Sequence, residues 1–435
     1  MNSFLRWIVI IVFTMTLAFP ALAQNSGFMP GLDKALPNVS IRHVDRIVLG
    51  GDIVHYRFDV KVGPGKFDVI RLHRIVRERR PYQPVPTIDG VLLLPGSPNT
   101  FEMIFMEPLI SQVPNWDQSI TVFLAKNNLD VWGMDYRWAL VPAEQKNFQF
   151  MKEWGLERDV QDTQIALSLA RTIRLMTGQG IGRLHLLGFS YGVYLTYAVA
   201  SQETQQPWYL RNVKAIIPVD WAMKYPVGSS ERTSACDSLP QLQASFAAGV
   251  YDDNTGAILK EFGDLARSAP NDPSPFADGF TNYQFALFVG ASPSPPPPLW
   301  HFVGGYFDDA GITTGLRFTD SWLWVDVLRA VPPYVPMHVD IDANTVICYD
   351  VVPPFDDHLS EITLPILYVG ARGGTGQDGY YATTLTASQD ITKFTVQLLS
   401  DDQQAFDFGH ADQFTAKHAD KLVWKPILDW IVAHR

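Results

Sequence analysis

Ser190 stands in the segment Leu184-His185-Leu186-Leu187-Gly188-Phe189-Ser190-Tyr191-Gly192-Val193-Tyr194, with a glycine two residues before it and another two after. An apolar run that reads as a strand enters this segment and a helical pattern leaves it. A serine on so tight a strand-to-helix turn holds strained backbone angles, and only small neighbours at ±2 let strand and helix approach. The turn lifts Oγ clear of the sheet and sets it at a helix N-terminus, where partial positive charge favours an anionic intermediate. The chemistry this predicts is attack on an acyl carbon, but a neutral hydroxyl is a poor nucleophile and needs a base. Of the ten histidines, His410 is the one placed for that role. It lies in Phe406-Asp407-Phe408-Gly409-His410-Ala411-Asp412, a loop expected between the last strand and the last helix, and completes the chain order Ser, acid, His. His43, His55 and His73 lie in or beside early strands, and His185 is on the strand before the serine. His301, His338 and His358 fall in a long insertion, with His418 and His434 in the terminal helical region.

The base needs a carboxylate to orient and charge-compensate it. Asp220 directly follows the apolar strand Val213–Val219 and is the first candidate. Asp378, the first carboxylate after the strand Ile366–Val369, is the alternative, with Asp390 behind it. Oxyanion stabilisation needs two aimed backbone N–H groups. One is expected from Tyr191, the residue after the serine. The other is expected from Pro95-Gly96-Ser97-Pro98-Asn99, where Pro98 has no N–H and Ser97 is therefore singled out.

These residues need a scaffold. Arg46 to Val76 reads as antiparallel strands, with turn chemistry at Gly50-Gly51-Asp52 and Gly63-Pro64-Gly65. The basic cluster Arg71, Arg74, Arg77, Arg79 and Arg80 there is expected to be a solvated face. From Asp89 onward, strands alternate with helices: Gly90–Leu94, a helix over Phe101–Gln112, Leu129–Met134, a helix over Asp159–Leu175, Leu184–Leu187, a helix over Val193–Ser201, and Val213–Val219. That rhythm predicts a parallel sheet flanked by helices. It stops between Asp220 and Pro365, a lid-like insertion holding the proline run Ser292–Pro298 and the aromatics Trp300, Phe302, Tyr306, Phe307, Trp322 and Trp324. It resumes with Ile366–Val369, Phe394–Leu399 and a closing helix, Leu422–Val432. The expected division is a core of residues 24–221 and 362–435 with a cap of residues 222–361.

Composition excludes several classes. The chain has 435 residues, 47% apolar and 18% charged, and a formal net charge of −11; that balance excludes disorder and argues against nucleic acid as a partner. Residues 1–23 are laid out as a secretory signal peptide: Arg6, an apolar run from Trp7 to Phe19, Pro20, and Ala21-Leu22-Ala23 before an expected cleavage. The expected location is therefore secreted or periplasmic, with no transmembrane anchor after cleavage. Export would allow Cys236 and Cys348, the only two cysteines, to form a disulfide. Gly178-Gln179-Gly180-Ile181-Gly182 precedes a strand instead of following one and is no dinucleotide loop. Asp340-Ile341-Asp342-Ala343-Asn344 lacks the glycine and closing glutamate of an EF-hand loop, and no pair of histidines has zinc-ligand spacing.

From Asp89 to the C-terminus, minus the insertion, the sequence resembles the α/β-hydrolase superfamily. The likeness rests on Gly188–Gly192, on Pro95-Gly96-Ser97, on the His410 loop, and on Asp130-Val131-Trp132-Gly133-Met134-Asp135-Tyr136-Arg137, which is similar to the fourth-strand region of lipases and esterases. It implies an α/β fold with an eight-stranded, mostly parallel sheet, a cap entering after the sixth strand, a Ser-His-acid triad, and no metal or organic cofactor. Two departures stand out. The customary His-Gly of the oxyanion loop is Pro95-Gly96, and the usual acid position, about three residues beyond Gly370, is a glycine. Some members take the acid from the neighbouring strand end, where Asp220 lies. The expected function is a secreted serine hydrolase acting on hydrophobic, aromatic or lipid-like esters. The alternatives are an amidase or peptidase with the same residues, or a catalytically silent binding protein that has kept the fold.

Overall fold

The computed structural model describes residues 39–111, 115–293 and 300–435. The segment expected to be a signal peptide and most of the proline run lie outside the described residues. Nine strands form one sheet: β1 (Ser40–Gly50), β2 (Ile53–Lys61), β3 (Val69–Arg80), β4 (Asp89–Leu94), β5 (Leu129–Asp135), β6 (Leu184–Phe189), β7 (Val213–Val219), β8 (Ile366–Ala371) and β9 (Ile391–Val396). The order is β1-β2-β3-β5-β4-β6-β7-β8-β9, and a two-residue strand, Gln83–Pro84, pairs with β3 as a tenth. β1, β2 and β3 pair antiparallel, as do β3 and β5; every pairing from β5 through β9 is parallel. The resemblance implied eight strands. The larger number comes from the N-terminal residues, whose turn at Gly51 (φ +56°) folds β1 and β2 into a hairpin extending the antiparallel edge. Strand order reverses at β4, between β5 on one side and β6 on the other, and a crevice opens at such a switch point beyond the carboxyl ends of the strands.

β4 is buried along its whole length, and its alternation sorts the core. Val91 and Leu93 join the apolar layer of Phe105, Trp424 and Ile431, whereas Leu92 and Leu94 join that of Trp132, Leu167 and Leu195 on the other face. The same alternation corrects the basic cluster. Arg74 is buried and makes two 2.8 Å hydrogen bonds to the Asp130 carboxylate, while Arg71 and Arg77 pair with Asp59 and Asp52 near the surface. Removing one partner of such a buried pair typically costs about 3–5 kcal/mol.

The helices are α1 (Phe101–Phe105), α2 (Ile120–Lys126), α3 (Leu156–Met176), α4 (Gly192–Thr204), α5 (Ser230–Ala247), α6 (Thr255–Ser268), α7 (Asn282–Ala291), α8 (Ser321–Ala330), α9 (Met337–Cys348), α10 (Tyr380–Thr384), α11 (Asp412–Thr415) and α12 (Lys425–Ala433). α1 is shorter than its apolar pattern predicts, because Pro108 has no N–H for a continuing turn and clashes with the carbonyl of the preceding turn. The last strand also differs: Leu398 and Leu399 lie beyond β9, and the Leu398 N–H is bound by the Asp407 carboxylate. Among the described residues no helix is long and apolar enough to cross a membrane.

Helices α5 to α9 all lie between β7 and β8. They contribute Leu287, Val325 and Leu328 to an apolar cluster that also takes in Met103 of α1 and Ala411, and they carry a disulfide from Cys236 on α5 to Cys348 at the end of α9. The bond spans a separation of 112 residues; chain-entropy arguments value such a crosslink at about 4–5 kcal/mol. Asp340–Asn344 is helical within α9, and Asp342 Oδ2 accepts the Leu156 N–H at 2.8 Å.

Candidate active site

The turn between β6 and α4 holds Ser190 at φ +54°. Its N–H donates to the Val219 carbonyl at 3.1 Å and its own carbonyl accepts the Val193 N–H at 2.8 Å, so the turn is tied to both neighbouring elements. The glycines are required by contact. A Cβ on Gly188 would lie 2.1 Å from the Gly192 carbonyl oxygen, and one on Gly192 would lie 2.6 Å from that of Leu94. A third glycine does the same work from the neighbouring loop, since a Cβ on Gly96 would meet the Ser190 Cβ at 2.6 Å.

Asp220 is fully buried at the end of β7, itself at φ +53°. Its N–H donates to the Val369 carbonyl at 2.7 Å. The carboxylate accepts N–H groups from Ala371 (2.7 Å), Gly376 (3.1 Å) and Thr375 (3.3 Å). A Cβ on Gly374 would stand 2.0 Å from Asp220 Oδ2. The Gly373-Gly374-Thr375-Gly376 stretch after β8 therefore wraps the carboxylate presented by β7. Each aimed N–H stabilises the buried negative charge.

His410 brings its Nδ1 to 2.7 Å from Asp220 Oδ2. Asp378 is half-buried on the same glycine-rich loop, and Asp390 lies 3.1 Å from His434 Nε2; neither takes the His410 nitrogen. The imidazole stacks on Phe189 with ring centroids 4.4 Å apart, and Trp300 and Trp221 approach it at 5.1 and 6.0 Å. The loop carrying it is braced at both ends. Asp407 accepts the Phe408 and Leu398 N–H groups, and Asp412 accepts those of Gly409 and Gly304 together with the Thr319 hydroxyl. Burial pushes the Asp412 carboxyl up to about 7. Two further bonds join this loop to the insertion: the His410 N–H donates to the His301 carbonyl and the Ala411 N–H to that of Phe302, at 3.0 and 2.7 Å.

Ser190, His410, Ser97 and Asn99 line one cavity, with Asp220 behind the imidazole. The loop bearing Ser97 is a turn closed by the Asn99 N–H on the Gly96 carbonyl at 3.0 Å, with a cis bond between Ser97 and Pro98. It is held from below by the Tyr136 hydroxyl, which donates to the Pro95 carbonyl at 2.8 Å. Tyr191 immediately precedes α4 at its N-terminal end. The remaining wall is apolar and comes largely from the insertion, through Leu259, Phe302, Trp324 and Leu328, with Met103 and Ile104 of α1 opposite.

One group at the site carried no sequence signal. Asp159 of α3 is buried and accepts the Tyr191 hydroxyl at 2.9 Å, and burial beside the Asp162 charge pushes its carboxyl up to about 7. Thirty-odd residues of intervening chain hide that pairing from any local pattern. The aromatic pair Trp221 and Trp300, with ring centroids 6.5 Å apart, joins the entry of the insertion to its interior, and only Trp300 stood in the aromatic cluster read from the sequence.

No protein-family model matches the sequence, and no curated protein is similar enough to align with it. Solved structures are more informative. A Sulfolobus solfataricus protein designated a lipase matches over 90% of this chain and 99% of its own, with 17% identity and a TM-score of 0.60. A soluble variant of monoglyceride lipase from Saccharomyces cerevisiae, solved with a substrate analogue, matches over 91% and 96% with 11% identity and a TM-score of 0.49. With the sheet order and the turn at Ser190, the first of these likenesses establishes that the chain has the α/β-hydrolase fold.

Proposed function

We propose that the protein is a carboxylic-ester hydrolase that works through an acyl-enzyme on Ser190. His410 takes the hydroxyl proton as Oγ attacks the acyl carbon, and Asp220 holds the imidazole in its tautomer and balances the imidazolium. The N–H groups of Ser97 and Tyr191 receive the oxyanion. His410 then returns the proton to the departing alcohol oxygen, and water, activated by the same imidazole, releases the acid. The observation that carries this reading is the junction of a serine at φ +54° and an imidazole bound to a buried carboxylate, both lining one apolar cavity.

The insertion, residues 222–361, serves as a cap, and its apolar wall favours hydrophobic or aromatic esters, including lipid-like ones. Residues 1–23 direct export to the periplasm or beyond, a setting in which the Cys236–Cys348 bond persists. A fluorophosphonate probe tests the chemistry. Wild type and Asp378→Asn are expected to label, Ser190→Ala not at all, and His410→Ala and Asp220→Asn far more slowly. Equal labelling of Ser190→Ala would overturn the nucleophile, and loss in Asp378→Asn with retention in Asp220→Asn would overturn the acid.

A further inference from the structure

The antiparallel edge of the sheet buries two histidines for which the proposed hydrolysis has no use. His55 on β2 and His73 on β3 are fully buried and stacked, with ring centroids 5.2 Å apart. They form the middle of a polar chain. Asp135 Oδ2 lies 3.0 Å from His73 Nε2, and His73 Nδ1 lies 2.9 Å from His55 Nε2. At the far end His55 Nδ1 stands 3.9 Å from Glu102 Oε1.

The chain has three junctions, and two neutral imidazoles bring only two ring protons. The two short junctions take them: His73 donates from Nε2 to Asp135, and His55 donates from Nε2 to His73 Nδ1. His55 Nδ1 is then a lone pair directed at a carboxylate oxygen. Both atoms are buried, and neither has a hydrogen-bond partner among the described residues. A third proton would set a cationic ring near Arg57, whose guanidinium is already 3.5 Å from the same Glu102 oxygen. Zinc bonds to imidazole nitrogen and carboxylate oxygen run about 2.0–2.2 Å, so the 3.9 Å separation is close to two such bonds end to end. Closing it by about half an ångström gives a tetrahedral angle.

We propose that His55 and Glu102 are ligands of a divalent-cation site of borderline softness, with zinc as the probe, in which His73 and Asp135 fix the ligating tautomer of His55. Hydrogen bonds of this second kind are what orient metal-binding imidazoles. The ligand atoms of His55, His73 and Glu102 all lie within 4.8 Å of one another, but the His73 Nδ1 lone pair is taken by the His55 Nε2 proton, so His73 orients the site and is not a ligand. Entry is through Glu102, whose side chain is 25% exposed, and the displaced Arg57 keeps its second partner, Asp45, at 3.2 Å. Glu102 lies in the first turn of α1, immediately after the loop carrying Ser97. A bound cation would therefore tie that helix to β2.

The test uses the purified full chain, stripped with chelator, offered zinc sulfate, passed through gel filtration and assayed for metal. Wild type should retain one equivalent of zinc, show visible absorption bands with cobalt, and unfold at a higher temperature with zinc than without. Glu102→Gln and His55→Gln, checked for folding by circular dichroism, should weaken retention more than about tenfold, while Arg57→Gln should strengthen it. Absence of retained zinc and of cobalt bands in wild type would overturn the site, as would zinc retention unchanged in both ligand variants. The cobalt spectrum of wild type decides the matter even if a variant fails to fold.

Discussion

The α/β core and the insertion between β7 and β8 contribute to the cavity in different ways. Ser190, Asp220 and His410 come from the core and are held by backbone bonds: the serine turn to Val219, the aspartate to Val369 and the loop after β8, the histidine loop by two aspartates. Leu259, Trp324 and Leu328 come from helices of the insertion and offer only apolar surface. Hydrogen bonding is directional and tolerates little displacement, whereas burial of apolar surface is nearly indifferent to orientation. The lesson is that tolerance to substitution should fall sharply from wall to core. The exception is the segment Trp300–Gly304, part of the insertion in sequence yet bound backbone to backbone to the His410 loop and to Gly373.

The most severe way to break this contrast is Gly374→Ala. Its new Cβ would fall 2.0 Å from Asp220 Oδ2 and must displace the carboxylate. Under the proposed chemistry, a shift of about 1 Å in a positioning group costs on the order of a hundredfold in rate. The expected outcome is at least that loss in turnover of p-nitrophenyl esters with an unchanged circular dichroism spectrum; activity within a few-fold of wild type would refute the tight packing of that loop. A milder effect is expected from Trp324→Ala. Removing part of the wall should change the preference between short and long acyl chains by about tenfold in kcat/KM, with the rate of fluorophosphonate labelling of Ser190 nearly unchanged. A uniform loss across all chain lengths would erase the distinction between wall and core.

A third test sharpens the comparison through pH. Asp159 of the core is buried and Asp340 of the insertion half-buried, and each carboxyl is raised from 3.8 to about 7, chiefly by desolvation. The folded state therefore holds a proton that the unfolded chain releases near pH 4. Native stability from each group is fully present below that pH and is lost as pH rises to about 7. Asp340→Asn removes the titration, so its stability relative to wild type should rise between about pH 4 and 7 and level off above. Urea unfolding across that range measures it. A flat difference would show that the carboxyl is not held protonated. Asp159→Asn should follow the same course, offset by any change in its bond to the Tyr191 hydroxyl.

Much of this was legible along the chain. Every parallel strand from β4 to β8 was foreseen within two residues at each end, because a buried parallel strand is an unbroken apolar run. β9 was displaced by three residues, since an edge strand buries only part of itself and its Thr392 and Lys393 interrupt the pattern. Arg74 was misread for the opposite reason: a charge in a basic run looks solvated until the strand's alternation turns it toward Asp130. The histidines at 55 and 73 had no recognisable metal spacing, because adjacent antiparallel strands, not a local motif, bring them together.

By itself the sequence determined the strand–turn–helix at Ser190, the glycines flanking it and the histidine loop near the chain's end. Those features depend on steric limits and hydrophobic periods acting over a few residues. Only the tertiary structure decided which carboxylate meets His410, and why the loop after β8 is rich in glycine instead of supplying the acid. The pairing joins residues 190 positions apart, and it is selected by which N–H groups can surround a charge withdrawn from water, a condition no stretch of sequence expresses.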